Sequence, residues 1–493
     1  MSKRDWQISA HAGFIDGRFI VGDGAFLTVE NPSDETQVAS FRGLSEAQTA
    51  QAIAAAREAF DHGPWGRYSS GERAAILRRY VDALIRRSPI FEDIVVAEAG
   101  CPRHAPVMGS QVKVPMQHGH EIIDLFLSLR EVEDNWLPLS HRVMLGGQSI
   151  QSVNRYFPVG VVAAITPYNF PVMTALWKVI PVLVTGNTVI LRPSPLTPLS
   201  ALVFADAAEE AELPAGVLNV VLESGIEGAR LMSTDPGVDM VTFTGSSPVG
   251  TQVMIQAAPT MKRIQLELGG KSAQIFLPDA VDRAIASAAG VCMGHAGQGC
   301  SHGTRLFVPE EAKDAVLKRM AEVVGRIKVG QTEDLATQMG PVISEAQVQR
   351  CEHFVKLACE AGGRVVTGGK RPAHLNKGHF FEPTVLDLPD NKNPAAQEEI
   401  FGPVVSVIGY RDLDHAVEMA NDSPYALSGY VHGADRKVAI EVANRMRTGT
   451  VNVNGGMTSA YVSMGGHKMS GVGRERGVEG LRLYQQLGCI NVA

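Results

Sequence analysis

Two glycine-rich segments of the chain carry side chains that could act together on a carbonyl group. Cys300 ends the run GQGC, and Glu267 stands inside the run LELGGK. A thiol can attack a carbonyl carbon, and a nearby carboxylate can activate the water that later releases the acyl group. Each segment alone would be more typical of a buried cysteine or of an ion-paired carboxylate. Together they favour covalent chemistry on a carbonyl substrate.

A third segment, TPYNFP, offers a neutral amide from a turn that is bracketed by prolines. The amide belongs to Asn169. A side-chain amide that is aimed at a tetrahedral intermediate stabilises its oxyanion. We therefore interpret Cys300, Glu267 and Asn169 as parts of one catalytic centre.

With these three segments the chain resembles the aldehyde dehydrogenase superfamily, and the resemblance covers nearly the whole length in the family's order. The further matching segments begin at Asn31 (NP), Phe243 (FTGS), Met339 (MGP), Glu398 (EEIFGP) and Ser470 (SGVGRE). The resemblance is specific for the reaction and much weaker for the substrate. It implies oxidation of a small-molecule aldehyde to the carboxylic acid with reduction of NAD(P).

The resemblance also implies a role for each catalytic residue. Cys300 would attack the aldehyde carbon, while the Asn169 amide and the Cys300 backbone N–H would stabilise the oxyanion. After hydride transfer to the nicotinamide, Glu267 would activate the water that hydrolyses the thioester. Lys178 and Glu475 match family positions implicated in proton relay, although a structural salt bridge explains these two residues nearly as well.

Two other functions compete with hydrolytic aldehyde oxidation. Dehydrogenases that pass the acyl group to coenzyme A generally lack a glutamate at the position of Glu267, because water attack would be unwanted there. A non-catalytic protein with the same fold, as some lens crystallins have, would not need Cys300, Glu267 and Asn169 together. The three residues favour the hydrolytic branch over both alternatives.

The run GSSPVG suits a nucleotide-binding turn, because it follows a predicted strand and opens a predicted helix whose N-terminus attracts anions. A Walker A loop would need lysine where Thr251 stands, and the usual GxGxxG fingerprint is absent from this site. The family uses GxxxxG after Phe-Thr instead. The resemblance implies these cofactor contacts: Thr166, Pro167, Tyr168, Arg192, Ser194, Pro195, Gly245, Ser246, Glu399 and Phe401.

Two positions depart from the family's pattern where the adenosine ribose binds. Arg192 replaces a lysine and keeps a cation with a planar fork, while Pro195 replaces a glutamate and supplies no carboxylate for the ribose hydroxyls. That carboxylate is one reason to reject a 2′-phosphate. We therefore expect NAD to be the preferred cofactor and NADP to be accepted as well. Tyr168 replaces a frequent tryptophan, and Glu399 matches the glutamate that holds the nicotinamide ribose.

The residues that match the substrate funnel of the family are Phe170, Trp177, Gly294, Ser301, Thr458 and Met464. Small or flexible groups stand where rings often narrow the funnel, and methionine adapts to irregular shapes. A mostly apolar wall also disfavours a charged semialdehyde, which would need an arginine; Arg305 is near in sequence but is expected to be structural. The pattern predicts bulky apolar or aromatic aldehydes as substrates.

The elements that must position these residues alternate between strands and helices. Amphipathic helices are predicted over 46–60 and 72–87, and buried strands over 159–165, 188–191 and 239–243. Strand, helix and strand in this order imply a mostly parallel, doubly wound sheet. A second series of strands and helices follows, with strands over 305–308 and 404–408 and a helix over 309–326.

The predicted fold class is α/β and aldehyde-dehydrogenase-like, with a Rossmann-type cofactor domain, an α/β catalytic domain and a small β oligomerisation arm. The arm is expected from a hairpin signal over 140–156, with Gly146 and Gly147 as its turn, and from a strand over 489–492. In the resembled family such an arm joins subunits, which implies a homodimer or a homotetramer. The predicted bounds are 1–135 and 157–268 for the cofactor domain, 269–464 for the catalytic domain, 136–156 and 480–493 for the arm, and 465–479 for a segment that returns to the cofactor domain.

Composition excludes several other classes of protein. The net charge is −7 and the 45 Lys and Arg residues are scattered, which argues against a nucleic-acid surface. The six cysteines show no CxxC pair, which favours free thiols in a reducing compartment. The N-terminus shows no secretory signal, and polar residues and prolines interrupt the most apolar region, 159–191, too often for a membrane span. We expect a cytoplasmic protein.

Histidines near one another could bind a metal, but the pattern does not favour it. His118 and His120 form the only dense cluster, and a solvated helix face is the better interpretation. No metal site is expected. His295 and His302 flank the nucleophile and could tune its pKa or line the pocket, although each is more typical of a spectator. The cysteines other than Cys300 are expected in the core.

Overall fold

The computed structural model describes residues 11–142, 149–456 and 459–492. Within these residues the strands form an eight-stranded sheet, a seven-stranded sheet, a three-stranded sheet and two two-stranded pairs. Two separate clusters of buried apolar side chains form the cores around the two large sheets. The two pairs are β3 (Phe26–Glu30) with β4 (Gln37–Arg42), and β17 (Tyr425–Ala426) with β20 (His467–Lys468).

The eight-stranded sheet has the strand order of a nucleotide-binding fold. Its strands are β1 (His11–Ile15), β2 (Arg18–Val21), β7 (Val161–Ile165), β8 (Thr188–Arg192), β9 (Leu218–Val221), β10 (Met240–Thr244), β11 (Arg263–Glu267) and β21 (Gly471–Val472). Five of them are parallel neighbours in the order β9-β8-β7-β10-β11. The first strand of the five lies in the middle, as in doubly wound folds. The predicted parallel sheet is confirmed.

Helices cover both faces of the parallel strands, and every residue of β7, β8 and β9 is buried. The predicted helices over 46–60 and 72–87 are confirmed as α1 and α2, and each begins with a capping box, at Ser45 and at Ser69. The helices are α1 (Glu46–Asp61), α2 (Ser70–Arg86), α3 (Ser88–Glu98), α4 (Val114–Ser128), α5 (Pro171–Val184), α6 (Ser200–Glu210), α7 (Glu227–Thr234), α8 (Ser247–Ala257), α9 (Arg283–Met293), α10 (Lys313–Val324), α11 (Glu345–Glu360), α12 (Pro394–Gln397), α13 (Leu413–Asn421), α14 (Arg436–Ala443) and α15 (Gly477–Leu483).

The seven-stranded sheet is parallel except for one edge strand. Its strands are β12 (Ala273–Phe276), β13 (Arg305–Pro309), β14 (Arg364–Thr367), β15 (Thr384–Asp387), β16 (Val404–Tyr410), β18 (Ser428–His432) and β19 (Thr450–Val453). They lie in the order β14-β15-β16-β13-β12-β18-β19, with β14 antiparallel to its neighbour. The strands predicted over 305–308 and 404–408 are confirmed. The helix predicted over 309–326 is shorter, because Pro309 still belongs to β13 and a 3-10 turn precedes α10.

The three-stranded sheet joins distant parts of the chain. It consists of β5 (Val132–Asp134), β6 (Gln151–Pro158) and β22 (Gln485–Val492), with β6 in the middle and all pairs antiparallel. Among the described residues β6 pairs with β5 and β22, and Leu139–His141, at the start of the predicted hairpin, forms a 3-10 helix. The turn of that hairpin, Gly146 and Gly147, lies outside the described residues. Oligomerisation through this sheet stays a prediction.

Three further features of the described residues bear on function. The expectation that the remaining cysteines lie in the core is wrong for Cys359 and Cys489, which are exposed, while Cys101, Cys292 and Cys351 are buried. In the part of the chain that the structure describes, no cluster of three His, Cys, Asp or Glu side chains could hold a metal ion. No described helix has both the length and the apolar character that crossing a membrane requires.

Candidate active site

The predicted catalytic and cofactor residues gather at the carboxyl ends of the parallel strands of the eight-stranded sheet. Asn169 lies in the loop after β7, Ser246 lies in the turn after β10, and Glu267 is the last residue of β11. β7, β10 and β11 are neighbours in the sheet. In doubly wound sheets ligands bind at this edge, where the strand order reverses. The fold therefore brings together residues that are far apart in the sequence.

Cys300 reaches this edge from a short loop that precedes β13. The loop begins with a turn in which His295 and Ala296 have positive φ angles of 51° and 50°. Residues other than glycine adopt such strained conformations at a cost of about 1–3 kcal/mol each. A Cβ on Gly270 would lie 2.3 Å from the Cys300 carbonyl oxygen. Glycine is therefore needed there for the two segments to pack together.

The Asn169 amide is fixed beside the nucleophile loop. Its Nδ2 donates to the carbonyl of Gln298 at 2.8 Å, and its backbone carbonyl accepts from Gln111 Nε2 at 2.7 Å. Gln298 stands just before Gly299 and Cys300 in the chain. Because an amide nitrogen carries two hydrogens, the second N–H of Asn169 can donate to a substrate oxygen. This placement fits the predicted oxyanion donor.

The thiol of Cys300 strongly disfavours its charged form. Burial, followed by the nearby carboxylates of Glu267 and Glu399, raises the pKa of Cys300 to about 12. The two flanking imidazoles do not offset this effect, because burial lowers the pKa of His295 to about 3 and that of His302 to about 4. Both histidines are neutral near pH 7, so neither stabilises a thiolate through its charge.

Glu267 is a buried carboxyl group with one unsatisfied oxygen. Its Oε2 has no hydrogen-bond partner among the described residues, and its Oε1 accepts from Gln265 Nε2 at 3.4 Å. Burial and then the nearby Glu475 raise the pKa of Glu267 to about 8, against the lowering effect of Lys178. A carboxylate with this pKa is a suitable general base close to neutral pH.

Lys178 and Glu475 form a buried ion pair, and the pair is connected to Glu267. Lys178 Nζ also donates to Thr242 Oγ1 at 3.0 Å and to Gln265 Oε1 at 3.3 Å. Because Gln265 Nε2 donates to Glu267, one amide side chain links the ammonium to the carboxyl group. Gln265 and Thr242 were not predicted, although polar residues inside apolar strands could have indicated them.

We expect Lys178→Met to move the pH dependence of kcat to more alkaline pH. Glu267 must lose its proton to act as a base, so its activity is present above its pKa of about 8 and is lost as the pH falls through that value. Loss of the ammonium raises this pKa, because a nearby opposite charge lowers a carboxyl pKa by about 1–3 units. Steady-state kcat measured from about pH 6 to about pH 10 gives the shift.

A second variant and a control make this experiment specific. Gln265→Leu breaks the link between Lys178 and Glu267 and should cause a smaller shift in the same direction. Lys313→Met removes an ion pair of the same kind, with Asp387 at 2.7 Å in the other large sheet, and should leave the profile in place. An unshifted profile in Lys178→Met would show that the ion pair is structural only.

The turn after β10 can hold an anionic group. Ser246 is the N-cap of α8, and its side chain accepts no capping hydrogen bond, so N–H groups of the first turn can bind a ligand. The hydroxyls of Thr166 and Thr244 are buried without a hydrogen-bond partner among the described residues. The Gly245 N–H donates to the Glu267 carbonyl at 3.0 Å and so fixes the turn to β11. Unsatisfied buried hydroxyls at this edge fit a bound cofactor.

Glu399, Phe401 and Tyr168 lie beside the glycine segment between β11 and β12. The rings of Tyr168 and Phe401 are in edge contact, with their centroids 5.9 Å apart. Glu399 Oε1 accepts from the Gly270 N–H at 2.8 Å. A Cβ on Gly269 would lie 2.3 Å from Glu399 Oε2. Glu399, which is predicted to hold the nicotinamide ribose, is thus anchored to the glycine segment that follows Glu267.

Arg192 lies at the carboxyl end of β8, as predicted, but its guanidinium is already paired. Its Nε donates to Glu223 Oε1 at 2.9 Å, and its Nη2 donates to the Gly225 carbonyl at 2.6 Å. Ser194 and Pro195 follow it and are partly buried. Glu223 was not predicted, because nothing in its local sequence shows that it faces Arg192.

Comparison with known proteins identifies the family. A model of the aldehyde dehydrogenase family matches residues 19–490. The chain belongs to the aldehyde dehydrogenase family. A Bacillus subtilis (strain 168) relative, DhaS, itself a candidate aldehyde dehydrogenase, is 33% identical over 483 residues, which cover 96% of this chain and 94% of the relative.

Solved structures of the family superimpose on nearly the whole chain. A mutant of aldehyde dehydrogenase C from Pseudomonas syringae, in complex with NAD⁺ and octanal, is 35% identical with a TM-score of 0.92, and the match covers 99% of this chain and 98% of that one. Betaine aldehyde dehydrogenase from Staphylococcus aureus, in complex with NAD⁺, is 32% identical with a TM-score of 0.93, and the match covers 98% and 95%. The predicted family, fold class, enzyme class and NAD cofactor are confirmed. The domain bounds and the roles of single residues stay predictions.

In this aldehyde dehydrogenase two predicted funnel residues lie against polar rings and a cation. Trp177 Nε1 donates to His118 Nδ1 at 3.0 Å, and the guanidinium of Arg476 lies 4.5 Å from the Trp177 ring centroid. The Phe170 ring centroid is 5.4 Å from that of His295. The prediction of a solvated face is wrong for His118, which is 3% exposed, because it accepts a hydrogen bond from a buried indole.

The space beside Gly294 is bounded by an imidazole ring. A Cβ on Gly294 would lie 3.0 Å from His302 Cε1, so an imidazole ring occupies the space that a larger residue would take. At Ser301 the backbone carbonyl accepts from the Tyr430 hydroxyl at 2.9 Å, which places another ring beside the nucleophile. Met464 pairs through its backbone with Glu475. Thr458 lies outside the described residues.

Arg305 has the structural environment that was expected of it. Its Nε donates to the Lys271 carbonyl at 2.8 Å, and its Nη1 donates to Asn391 Oδ1 at 2.8 Å and to the Met419 carbonyl at 3.0 Å. The arginine near the funnel is Arg476, which was not predicted. Burial lowers the pKa of Arg476, against the opposing effect of nearby carboxylates.

Proposed function

We propose that this protein oxidises an aldehyde to the carboxylic acid, with NAD as the hydride acceptor and with hydrolysis of a covalent thioester. One observation supports this most directly: three complementary groups meet at one sheet edge. They are the Cys300 loop, the Asn169 amide that is bonded to that loop, and the Glu267 carboxyl group with its unpartnered oxygen. These are a nucleophile, an oxyanion donor and a base.

The proposed cycle has an acylation stage and a hydrolysis stage. Cys300 Sγ bonds to the aldehyde carbon as its thiol proton passes to solvent, and the aldehyde oxygen accepts from Asn169 Nδ2 and from the Cys300 backbone N–H. NAD, when bound, supplies the acceptor for the hydride that leaves this carbon. Glu267 then takes a proton from water, the water oxygen bonds to the acyl carbon, and the acid and the Cys300 thiol are released. That proton passes to the departing Cys300 sulfur, so the thiol is regenerated and Glu267 is again free to act as a base.

Product analysis tests this proposal. Incubation of the protein with NAD and an aldehyde should give equal amounts of carboxylic acid and reduced nicotinamide, without any added thiol acceptor. Product that forms only when coenzyme A is added, and that appears as a thioester, would place the protein in the acyl-transferring branch. No reduced nicotinamide with any aldehyde would support a non-catalytic role.

We further propose that the preferred substrates are bulky apolar or aromatic aldehydes. Phe170 and Trp177 supply aromatic walls, and the similar Pseudomonas syringae enzyme was crystallised with octanal. Arg476, whose guanidinium lies over the Trp177 ring, has Glu475 and Glu267 as nearby counter-charges. A substrate carboxylate would have to compete with those carboxylates, so Arg476 does not favour a charged semialdehyde.

A panel of aldehydes measures this preference. We expect kcat/KM for octanal and benzaldehyde to exceed that for acetaldehyde and succinic semialdehyde by at least about tenfold, because each buried methylene adds about 1–3 kcal/mol of discrimination. The aromatic acid 4-carboxybenzaldehyde isolates the effect of charge, since it differs from benzaldehyde by one carboxylate. A preference for two-carbon or carboxylated substrates would overturn the proposed substrate class.

A further inference from the structure

A buried ion pair lies at the carboxyl ends of β8 and β9, away from the residues proposed as catalytic. Arg192 and Glu223 are 6% and 4% exposed, and Arg192 Nε is 2.9 Å from Glu223 Oε1. Glu223 also accepts from the backbone N–H groups of Gly228 at 2.7 Å and Ala229 at 2.9 Å, at the start of α7. Three donors therefore hold the carboxylate in one position, and the carboxylate in turn holds the guanidinium.

The sheet places this pair where the adenosine half of a dinucleotide would lie. Arg192 ends β8 and Glu223 follows β9, and both strands lie on the far side of β7 from β10 and β11. Glu267, at the end of β11, is three strand spacings or roughly 14 Å from β8. A dinucleotide in a doubly wound fold spans this edge. With its nicotinamide near Cys300, its adenosine extends towards β8 and β9.

The chemistry of the pair addresses the choice between NAD and NADP. In doubly wound folds a carboxylate near the ribose favours the 2′-hydroxyl of NAD, while an arginine accommodates the 2′-phosphate of NADP. A free Arg192 would bind such a phosphate through its planar fork. Bound to Glu223, the guanidinium is neutralised and points at a carboxylate and at the Gly225 carbonyl.

We propose that Glu223 makes this chain selective for NAD over NADP, by holding the Arg192 guanidinium so that it is not free to bind a 2′-phosphate. The inference rests on the proposed function, in which NAD accepts the hydride. It narrows the sequence-based expectation that NADP is accepted. That expectation followed from Pro195, which supplies no carboxylate, and from the cation of Arg192, which is bound to Glu223.

Equilibrium binding tests the inference apart from catalysis. AMP and adenosine 2′,5′-bisphosphate report on the adenosine end alone, and NAD and NADP report on the whole cofactor. We expect the full chain to bind AMP at least about tenfold more tightly than the bisphosphate, because the 2′-phosphate finds no free guanidinium at Arg192. The missing charge-assisted hydrogen bond would contribute about 1.5–3 kcal/mol, and about 1.4 kcal/mol is tenfold. NAD and NADP should differ in the same direction.

Variants assign the selectivity to the ion pair. Glu223→Gln keeps the side-chain size and one acceptor oxygen but frees the Arg192 charge, so the preference for AMP over the bisphosphate should fall at least about tenfold. Adding Arg192→Met to that variant should remove the gain in bisphosphate binding. Glu227→Gln is the matched control, because it removes the same charge from an exposed position at the start of α7 and should leave the preference unchanged.

Defined results would overturn the inference. They are equal binding of AMP and the bisphosphate by the unmodified protein, or an unchanged preference in a folded Glu223→Gln variant. If Glu223→Gln does not fold, the comparison in the unmodified protein still decides. Discrimination at the adenosine end without any aldehyde oxidation would reject the proposed function and leave the role of Glu223 in nucleotide selection in place.

Discussion

Cys300→Ser should lower kcat/KM for aldehyde oxidation by at least about 1000-fold, while binding of NAD stays close to that of the unmodified protein. A hydroxyl is much less acidic and less nucleophilic than a thiol. In this site burial already raises the thiol pKa to about 12, and the same burial disfavours an alkoxide even more. Formation of reduced nicotinamide at saturating NAD measures the loss, and equilibrium binding of NAD measures the integrity of the site.

The control for this variant is another cysteine of the chain. Cys359→Ser makes the same change at an exposed thiol on α11 and should leave kinetics and binding unchanged. Turnover of Cys300→Ser close to that of the unmodified protein would remove Cys300 from the mechanism. An acyl adduct found on another cysteine by intact-mass and peptide analysis would assign the nucleophile elsewhere.

The strands, and the three side chains proposed as catalytic, have local signals in the sequence. β7 and β8 are continuous apolar runs, as strands covered on both faces must be. Cys300 and Glu267 stand in glycine-rich segments, and the structure supplies the reason. A Cβ on Gly270 would lie 2.3 Å from the Cys300 carbonyl oxygen, so the glycines mark the contact between the two segments.

Other parts of the site have no local signal, because their roles depend on partners that are distant in sequence. In the sequence Gln265 is only a polar residue in a strand, and its link between Lys178 and Glu267 is visible only in the structure. The role of Glu223 depends on its ion pair with Arg192 on the neighbouring strand. The role of Arg476 depends on its contact with the ring of Trp177. Sequence patterns predict elements, whereas these pairings follow from the way the elements pack.

The space in the substrate funnel could not be predicted from the sequence either, because side chains from distant parts of the chain fill it. Nothing in the local sequence around Gly294 shows that the ring of His302 lies against it. His118 was expected on a solvated face, yet Trp177 needs an acceptor for its buried N–H and His118 supplies it. Protein interiors are close-packed, so the absence of a side chain at one position usually means the presence of another from elsewhere.

Glu267→Gln should separate the two stages of the reaction. The variant should still form reduced nicotinamide in a first turnover, because Cys300 and Asn169 remain in place. Steady-state kcat should then fall by about 100-fold to 10,000-fold, the usual contribution of a general base, since no group activates the water. Rapid-mixing absorbance should show a burst of reduced nicotinamide, and intact mass should show the acyl group on the protein.

The pKa values sharpen the interpretation of this experiment. The pKa of Glu267, about 8, lies well below that of the Cys300 thiol, about 12, so at equilibrium the proton stays on the thiol and does not move to Glu267. Glu310→Gln, the same change at an exposed residue after β13, should show neither a burst nor a trapped acyl group. Absence of a burst in Glu267→Gln would reassign Glu267 to thiol activation, and steady turnover without a trapped thioester would remove it from hydrolysis.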